Sequence, residues 1–510
     1  MRVNLRRMLL GTGDVNAFFA LFVDNTVNLV ILVGLLQGVF GYPVSFALTH
    51  MVPGTAMGVL VGDLIYTWMA IRLARQTGRK DITAMPLGLD TPSVIGIATI
   101  VIGPVFAQTH DPAMAWYVGM AVMVVMGVFK TIVSFFGNLV ARIVPRSGLL
   151  GPLGGMGLVL LAFIPVMKVF DAPIAGMVGM GIVLYGLVAG RRLPFGIPAA
   201  LGAVLASLAV YWLATAAGLH QVHIPSISVS LALPIPTLSF MKAMPRIWQF
   251  LPVALPFGLL TVIGGINVTE SARAAGDTYS TQSVLLAEAM ATLIAGLFGG
   301  VAQTTPYIGH PAYKAMGARA GYTLYTALAI GIGGMTGILQ GVIVLLPEVT
   351  VAPILLFVGI EIAVQSVVAV EKQELPAVFL AMVPVLAYLV SIYGNQALQA
   401  CTGLPPTLSF DLQTASVIGS GFILTGMLWG SLAAYIIRKR KGPVIWTSII
   451  LAVLTLFGLI HSFDPHGAAY LPWKFSTPVQ PIALATGYLV MGIVLALIWQ
   501  SDKSQRPSHR

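Results

Sequence analysis

Nine residues stand out because they could do chemistry within otherwise apolar stretches of the chain. They are Asp24, Asn25, Asp63, Asp90, Thr91, Thr261, Tyr307, Gly309 and His310. An ionisable group at membrane depth is costly, so each carboxylate or histidine there is a candidate for function. Carboxylates could bind a proton or a metal cation, while hydroxyl, amide and imidazole groups could hydrogen-bond a polar solute.

The acidic candidates lie in the first three apolar segments. Asp24 and Asn25 sit midway along the first, where they could bind a substrate or a coupling cation, or close a helix–helix contact. Asp63 could relay protons or bond to a neighbouring helix. Asp90 and Thr91 precede a proline, so they could face a substrate or act as ordinary N-cap residues. Asp24, Asp90 and Asp63 are therefore the candidates for proton or cation coupling.

The remaining candidates are neutral or titrate near neutral pH. His310 stands at the predicted start of a short helix, where it could donate to a carbonyl or an anion. The alternative is a packed histidine that is bonded to a backbone carbonyl. Thr261, Tyr307 and Gly309 are predicted to line the same site with hydrogen-bonding groups.

Composition excludes a soluble protein. Of 510 residues, 57% are hydrophobic and only 9% are charged, whereas a soluble domain carries about 25% charged residues. The net charge of +10 lies in short loops and forms no basic domain, so nucleic acid is not expected as a partner. The single cysteine, Cys401, excludes a disulfide framework. No nucleophile–base pair, metal cluster or phosphate loop is apparent, so we expect neither an enzyme nor a cofactor or metal.

Hydropathy predicts sixteen membrane spans. They lie at 15–40, 45–72, 83–108, 113–138, 147–168, 172–190, 195–217, 247–272, 282–301, 304–318, 322–346, 351–370, 376–394, 414–437, 444–462 and 480–499. If the N-terminus is inside, 22 of the 27 Lys and Arg residues fall on the inner side. This predicts an inner-membrane protein whose two termini are both cytoplasmic.

Two of the spans open with broken segments. The third begins with Thr83-Ala-Met-Pro-Leu-Gly-Leu-Asp-Thr-Pro-Ser93 and the tenth with Gln303-Thr-Thr-Pro-Tyr-Ile-Gly-His-Pro-Ala-Tyr313. Each has an extended piece, then a polar pair before proline, then an apolar helix. A second pair, 145–152 and 347–353, opens the fifth and twelfth spans. Both pairs are seven spans apart, and an odd offset inverts the second unit relative to the first.

Paired broken segments in inverted halves indicate a transporter binding site. Non-helical backbone at membrane depth survives only where it lines a cavity or is buried in protein. The starts of the two half-helices would present N–H donors and partial positive charge to a substrate. We therefore expect a secondary transporter.

Particular stretches resemble a known family. Leu285-Leu-Ala-Glu-Ala-Met-Ala-Thr-Leu-Ile-Ala-Gly-Leu-Phe-Gly-Gly300 with Gln303-Thr-Thr305 is similar to the ninth-to-tenth helix region of the nucleobase–ascorbate transporters, which are uracil, xanthine and purine permeases. Ser271-Ala-Arg-Ala-Ala-Gly276 resembles the end of their eighth helix. The segment 83–92 is closest to the hypoxanthine/guanine-type branch.

The resemblance implies an all-α, seven-plus-seven inverted-repeat membrane fold with broken helices 3 and 10, plus two extra C-terminal helices. A core domain would comprise spans 1–4 and 8–11, a gate domain spans 5–7 and 12–14, and a homodimer would form through the gate domains. The predicted boundaries are 1–140 (core), 141–220 (gate), 245–346 (core), 347–437 (gate) and 438–510 (C-terminal hairpin and tail).

The chain also departs from that family. Where members carry a carboxylate in the eighth helix, this chain has Thr261-Val-Ile263, and the first-helix Gln-His pair falls on Asn16-Ala17. Where many members carry Glu or Gln at the start of the tenth half-helix, the position falls on or just before His310. Asp24 could replace the missing carboxylate.

The functional prediction is import of a nucleobase such as a purine, xanthine or uracil by proton or sodium symport, through alternating access between core and gate. The expected partners are thus a small-molecule substrate, a coupling cation and the lipid bilayer. One alternative is a sulfate-permease-like anion transporter of the same fold, although the aspartates would repel an anion. A non-transporting membrane sensor is the other.

Overall fold

A computed structural model describes most of the chain. The described residues are 8–136, 144–191, 193–194, 197, 199–219, 231–307, 309–400, 404–464, 469–474 and 479–504. About 80% of the structure is helical. Cys401 lies outside the described residues.

The described helices follow one another with short connections. In chain order they are α1 (Thr12–Phe40), α2 (Val44–Thr77), α3 (Thr91–Thr109), α4 (Pro112–Ser134), α5 (Arg146–Val169), α6 (Pro173–Val188), α7 (Ala199–Ala216), α8 (Leu251–Ala274), α9 (Thr281–Leu297), α10 (His310–Ala315), α11 (Gly321–Met335), α12 (Ile338–Leu345), α13 (Glu348–Val368), α14 (Leu375–Ala400), α15 (Pro406–Gly419), α16 (Phe422–Ile437), α17 (Lys441–Leu456) and α18 (Val479–Ser504). A 3₁₀ stretch, Ser239–Phe250, leads into α8.

Ten helices in the described part of the chain are long and apolar enough to cross a membrane, and the chain is a multi-pass membrane protein. Each of the sixteen predicted spans contains a described helix, but several are too short or too bent to span alone. Prediction missed two breaks: α11 and α12 lie within one predicted span, and α15 and α16, which meet at 74°, break another. Gly421 makes this turn with a φ of 63°, a left-handed value that glycine adopts without strain.

The broken third and tenth spans are confirmed. Strand β1 (Leu87–Leu89) precedes α3, and strand β2 (Thr304–Pro306) precedes α10. The two strands pair antiparallel, with Gly88 opposite Thr305. Prolines punctuate both segments, and the residue before a proline is biased away from the helical region. Pairing satisfies backbone groups that lipid could not.

The described chain divides into two compact units. Unit 1 comprises Met1–Gly137, Phe163–Ile247 and Phe257–Phe357. Unit 2 comprises Asn138–Ala162, Trp248–Pro256 and Val358–Arg510. Within unit 1, α2 packs on α9 and α11, α4 packs on α9, and α6 pairs with α7. Within unit 2, the first part of α5, α14 and α16 pack together, and α17 pairs with α18. The core and gate boundaries stay predictions.

Glycines allow the helices of unit 1 to approach closely. A Cβ atom on Gly54 of α2 would lie 2.2 Å from the backbone nitrogen of Gly300 and 2.4 Å from the carbonyl oxygen of Phe298. Both are backbone atoms in the turn that connects α9 to β2, so neither can swing away as a side chain would. The position of β2 relative to α2 therefore depends on the absence of a side chain at Gly54.

Gly54→Val should destabilise the protein by about 3 kcal/mol, since overpacking against backbone forces helices apart. The melting temperature of the purified protein would measure the loss. Gly181→Val is the matched control, because nothing lies within 4 Å of a Cβ atom placed there. Equal losses in the two variants would contradict the explanation.

Candidate functional site

The first cluster of candidates surrounds the crossing of β1 and β2. Asn25 of α1 accepts a hydrogen bond from the backbone N–H of Leu89 (3.0 Å) and donates to the carbonyl of Leu21 (3.0 Å). It thereby ties α1 to β1 along the edge that β2 leaves free. On β1, Asp63 of α2 accepts from the backbone N–H of Leu87 (3.3 Å). The two side chains thus hold the strand between α1 and α2.

Asp24 adds a carboxylate to this crossing that is not used by the fold. The residue is half-buried, and no hydrogen bond from a described residue reaches its Oδ2 atom. A Cβ atom on Gly88 would lie 3.2 Å from that oxygen and 4.0 Å from Cδ2 of Tyr307. Asp24 and Tyr307 therefore both lie close to the backbone of Gly88, where a side chain would crowd the carboxylate.

Tyr307 is held by its neighbours on the tenth segment. Its backbone N–H donates to the carbonyl of Pro86 (2.8 Å), which extends the β1–β2 pairing by one bond. A Cβ atom on Gly309 would lie 2.9 Å from the Tyr307 ring, so glycine at this N-cap position permits the close ring contact. The other face of the segment carries Tyr313, whose ring centroid lies 6.2 Å from that of Tyr307. Tyr307 and Gly309 thus lie at the crossing.

A second cluster links the start of α3 to β2. Asp90 is the N-cap of α3 and accepts from the backbone N–H of Ser93 (3.1 Å), so the capping interpretation is correct. The same oxygen accepts from Nε2 of Gln303 (3.0 Å). Thr91 is the first helical residue and is 8% exposed. Thr261 of α8 donates to the carbonyl of Gly258 (3.1 Å) and lies 3.5 Å from Oε1 of Gln303.

The centre of this network is a buried lysine. Lys130 of α4 and Glu288 of α9 form an ion pair with 2.5 Å between Nζ and Oε1, and both side chains are fully buried. The ammonium also donates to the carbonyl of Thr304 in β2 (2.9 Å) and to Oγ1 of Thr292 (3.1 Å). It lies 3.5 Å from Oε1 of Gln303. Lys130 and Glu288 were missing from the predicted site residues.

His310 is turned away from the crossing. It is the first residue of α10, but its fully buried ring lies 3.3 Å from the carbonyl of Thr83 and 3.5 Å from Asp277. Asp277, in the α8–α9 connection, also pairs with Lys314 (2.5 Å) and Arg79 (3.5 Å). The histidine therefore joins an ion network at the ends of α2, α8 and α10.

That network reaches the surface in the connection after α2. Arg79 and Asp81 pair at 2.5 Å, and the hydrogen bond from this guanidinium lowers the pKa of the Asp81 carboxyl below its ordinary value. Asp81 is 64% exposed, so water screens the interaction and it adds little to stability. The network connects the segment after α2 with the α8–α9 connection and with α10.

The structure thus sorts the nine predicted residues into three places. The strand crossing holds Asp24, Asn25, Asp63, Tyr307 and Gly309; the start of α3 and the adjoining Gln303 network hold Asp90, Thr91 and Thr261; and the ion network at the helix ends holds His310. One sequence signal could have found the missed centre, because Lys130 is a lysine inside an apolar span.

Comparisons with known proteins identify the fold. No protein-family model and no curated protein sequence matches the chain. A structure of SLC26A9 aligns with a TM-score of 0.53 at 12% identity, over 84% of this chain and 65% of that one. The murine Solute Carrier 26 family member A9 anion transporter, in its inward-facing state, aligns at 0.53 and 12% over 86% and 69%. The transmembrane domain of the cyanobacterial bicarbonate transporter BicA gives 0.49 and 14% over 83% and 96%.

The chain spans about two thirds of the length of the SLC26A9 structures that it matches. At 12% identity the likeness establishes the architecture alone. The strand crossing provides an independent sign of the same architecture, since two broken segments seven spans apart meet antiparallel. The chain has the inverted-repeat membrane fold of the SLC26 transporters, which is also the fold that the resemblance to nucleobase–ascorbate transporters implies.

Proposed function

We propose that the protein is a secondary transporter that carries a small anion together with a cation, and that both bind at the strand crossing of unit 1. One observation carries the proposal. The Oδ2 atom of Asp24, which no described residue hydrogen-bonds, converges with Tyr307 on Gly88 where the two broken spans meet. A buried carboxylate oxygen without a partner among the described residues is unsatisfied, and a proton, a cation or a solute that reaches it would satisfy it.

The architecture favours transport over a static role. Extended backbone within an apolar span is tolerated where it lines a cavity or is buried in protein. Paired broken segments in two repeats mark the substrate sites of transporters with inverted repeats. The anion follows from the likeness to SLC26A9, one of whose solved structures is described as an anion transporter. The main sequence-based expectation, a nucleobase, therefore gives way to its anion alternative.

Charge balance requires a cation as well. The described charged groups at the crossing and in the adjoining network are the ammonium of Lys130 and four carboxylates, Asp24, Asp63, Asp90 and Glu288. Glu288 is paired with Lys130, which leaves three carboxylates. An anion would be repelled by these groups if they stayed ionised, so a proton or metal ion must neutralise part of the charge when the anion binds. We assign that cation to Asp24 or Asp90, the two half-buried carboxylates.

A nucleobase is the second candidate, and Tyr307 is the observation that favours it. A tyrosine ring beside a carboxylate could stack on a heterocycle, while the carboxylate hydrogen-bonds its edge. The resemblance of 285–305 to the nucleobase–ascorbate transporters points the same way. In that case Asp24 would accept a hydrogen bond from a ring N–H.

Uptake into proteoliposomes tests the two candidates together. Purified protein would be offered radiolabelled chloride, bicarbonate, sulfate, uracil or xanthine, with an imposed proton gradient, a sodium gradient or neither. We expect saturable uptake of at least one anion, accelerated by an inward cation gradient. Uptake of a nucleobase alone would establish the second candidate. No uptake of any solute by correctly folded protein would overturn both and favour a sensor.

A further inference from the structure

The ammonium of Lys130 is surrounded by a shell of four oxygen atoms of described residues. Around Nζ are a carboxylate oxygen of Glu288 at 2.5 Å, the carbonyl of Thr304 at 2.9 Å, the hydroxyl of Thr292 at 3.1 Å and the amide oxygen of Gln303 at 3.5 Å. All of these side chains, and Lys130 itself, are fully buried. One carboxylate with carbonyl, amide and hydroxyl oxygens is the ligand set that hard metal cations take in proteins.

We propose that this shell is a site for a monovalent cation, and that the chain fills it with its own ammonium group. The charges balance, because one Lys130 ammonium faces one Glu288 carboxylate in a fully buried position. The Lys130 ammonium also stabilises the structure. Its hydrogen bond to the carbonyl of Thr304 and its ion pair with Glu288 link β2 to α4 and α9. Truncating Lys130 therefore exposes a site that Na⁺ or ammonium can occupy.

The vacated site would be close to the accessible part of the crossing. Gln303 touches the shell with its Oε1 atom and, through Nε2, donates to Asp90 at 3.0 Å. Asp90 is half-buried. A cation that reaches Asp90 is thus one side chain away from the shell. In the wild-type protein the ammonium blocks that position, so a metal ion that binds at the crossing must stop at the outer carboxylates.

Thermal stability of the purified full-length protein tests the proposal without any transport measurement. Melting temperatures would be compared in choline, sodium and ammonium chloride at equal ionic strength. The difference between choline and sodium in the wild-type protein sets the baseline, because sodium bound at Asp24 or Asp90 would itself raise the melting temperature. Lys130→Ala should melt lower than wild type in choline. Sodium or ammonium at about a hundred times its Kd should then raise the melting temperature by about 3–5 °C.

The matched control is the double variant Lys130→Ala with Glu288→Gln, which has the same truncated side chain but lacks the charge that holds the cation. It should show only the difference between choline and sodium that the wild-type protein shows. A Lys130→Ala protein that is unresponsive, or that stays unfolded in all three salts, would overturn the proposal, as would an equal response of the double variant. Glu288-dependent binding of radiolabelled sodium to the wild-type protein would also overturn it. These results stand whether or not the uptake assay finds a solute.

Discussion

Asp24→Asn should lower the initial rate of solute uptake about 10- to 100-fold, while leaving the melting temperature nearly unchanged. The rate should fall because a hydrogen bond or ion contact to a charged group is worth about 1.5–3 kcal/mol. Stability should persist because no described residue bonds to Oδ2. Initial rates in proteoliposomes, with the amount of reconstituted protein matched, would measure the effect.

Asp171→Asn is the control for this prediction. Asp171 is 66% exposed and forms only a 3.5 Å ion pair with Lys168, so its substitution should leave uptake intact. If the Asp24 variant transported at the wild-type rate, the assignment of Asp24 to the ligand would be wrong. A loss of uptake together with a large fall in melting temperature would indicate a structural role instead.

Glu288→Ala should destabilise the protein by about 3–5 kcal/mol, the largest stability effect that we expect. Removing one member of a buried pair leaves the other charge without compensation. Here the remaining charge is the fully buried ammonium of Lys130, which also holds the carbonyl of Thr304. The loss would be measured by equilibrium unfolding of the purified protein.

Two further variants show whether charge is the cause. Replacing both members by apolar residues, Lys130→Met with Glu288→Leu, should restore most of the stability, because well-packed apolar pairs often match buried ion pairs. Glu270→Ala should cost at most about 1 kcal/mol, since its pair with Arg273 is exposed. A double variant as unstable as Glu288→Ala alone would show that packing, rather than the uncompensated charge, dominates.

The positions of prolines explain why the broken segments could be predicted from the sequence. Met85-Pro86 and Thr91-Pro92 bracket β1, while Thr305-Pro306 ends β2 and His310-Pro311 opens α10. Each proline restricts its own φ and the residue before it, so the departure from helix is encoded within a few residues.

The contacts that assemble the site are not local. Whether Lys130 meets Glu288 depends on which faces of α4 and α9 pack together, and hydropathy does not report this. The orientation of His310 toward Asp277 depends on the α8–α9 connection in the same way. The break before α16 was missed because Gly419-Ser-Gly421 interrupts the apolar pattern too briefly to lower its mean hydropathy.

The pairing of β1 with β2 has a consequence for biosynthesis. Its strands are separated by more than two hundred residues, so β1 leaves the ribosome long before its partner exists. At about 5–20 residues per second, the delay is roughly 10–40 s. During that time Leu87–Leu89 has backbone groups that lipid cannot satisfy. Until the second repeat is synthesised and β2 can pair with β1, other groups must hydrogen-bond the backbone of this segment or keep it out of lipid. Asn25 and Asp63 provide two such hydrogen bonds, and the insertion machinery is the other means.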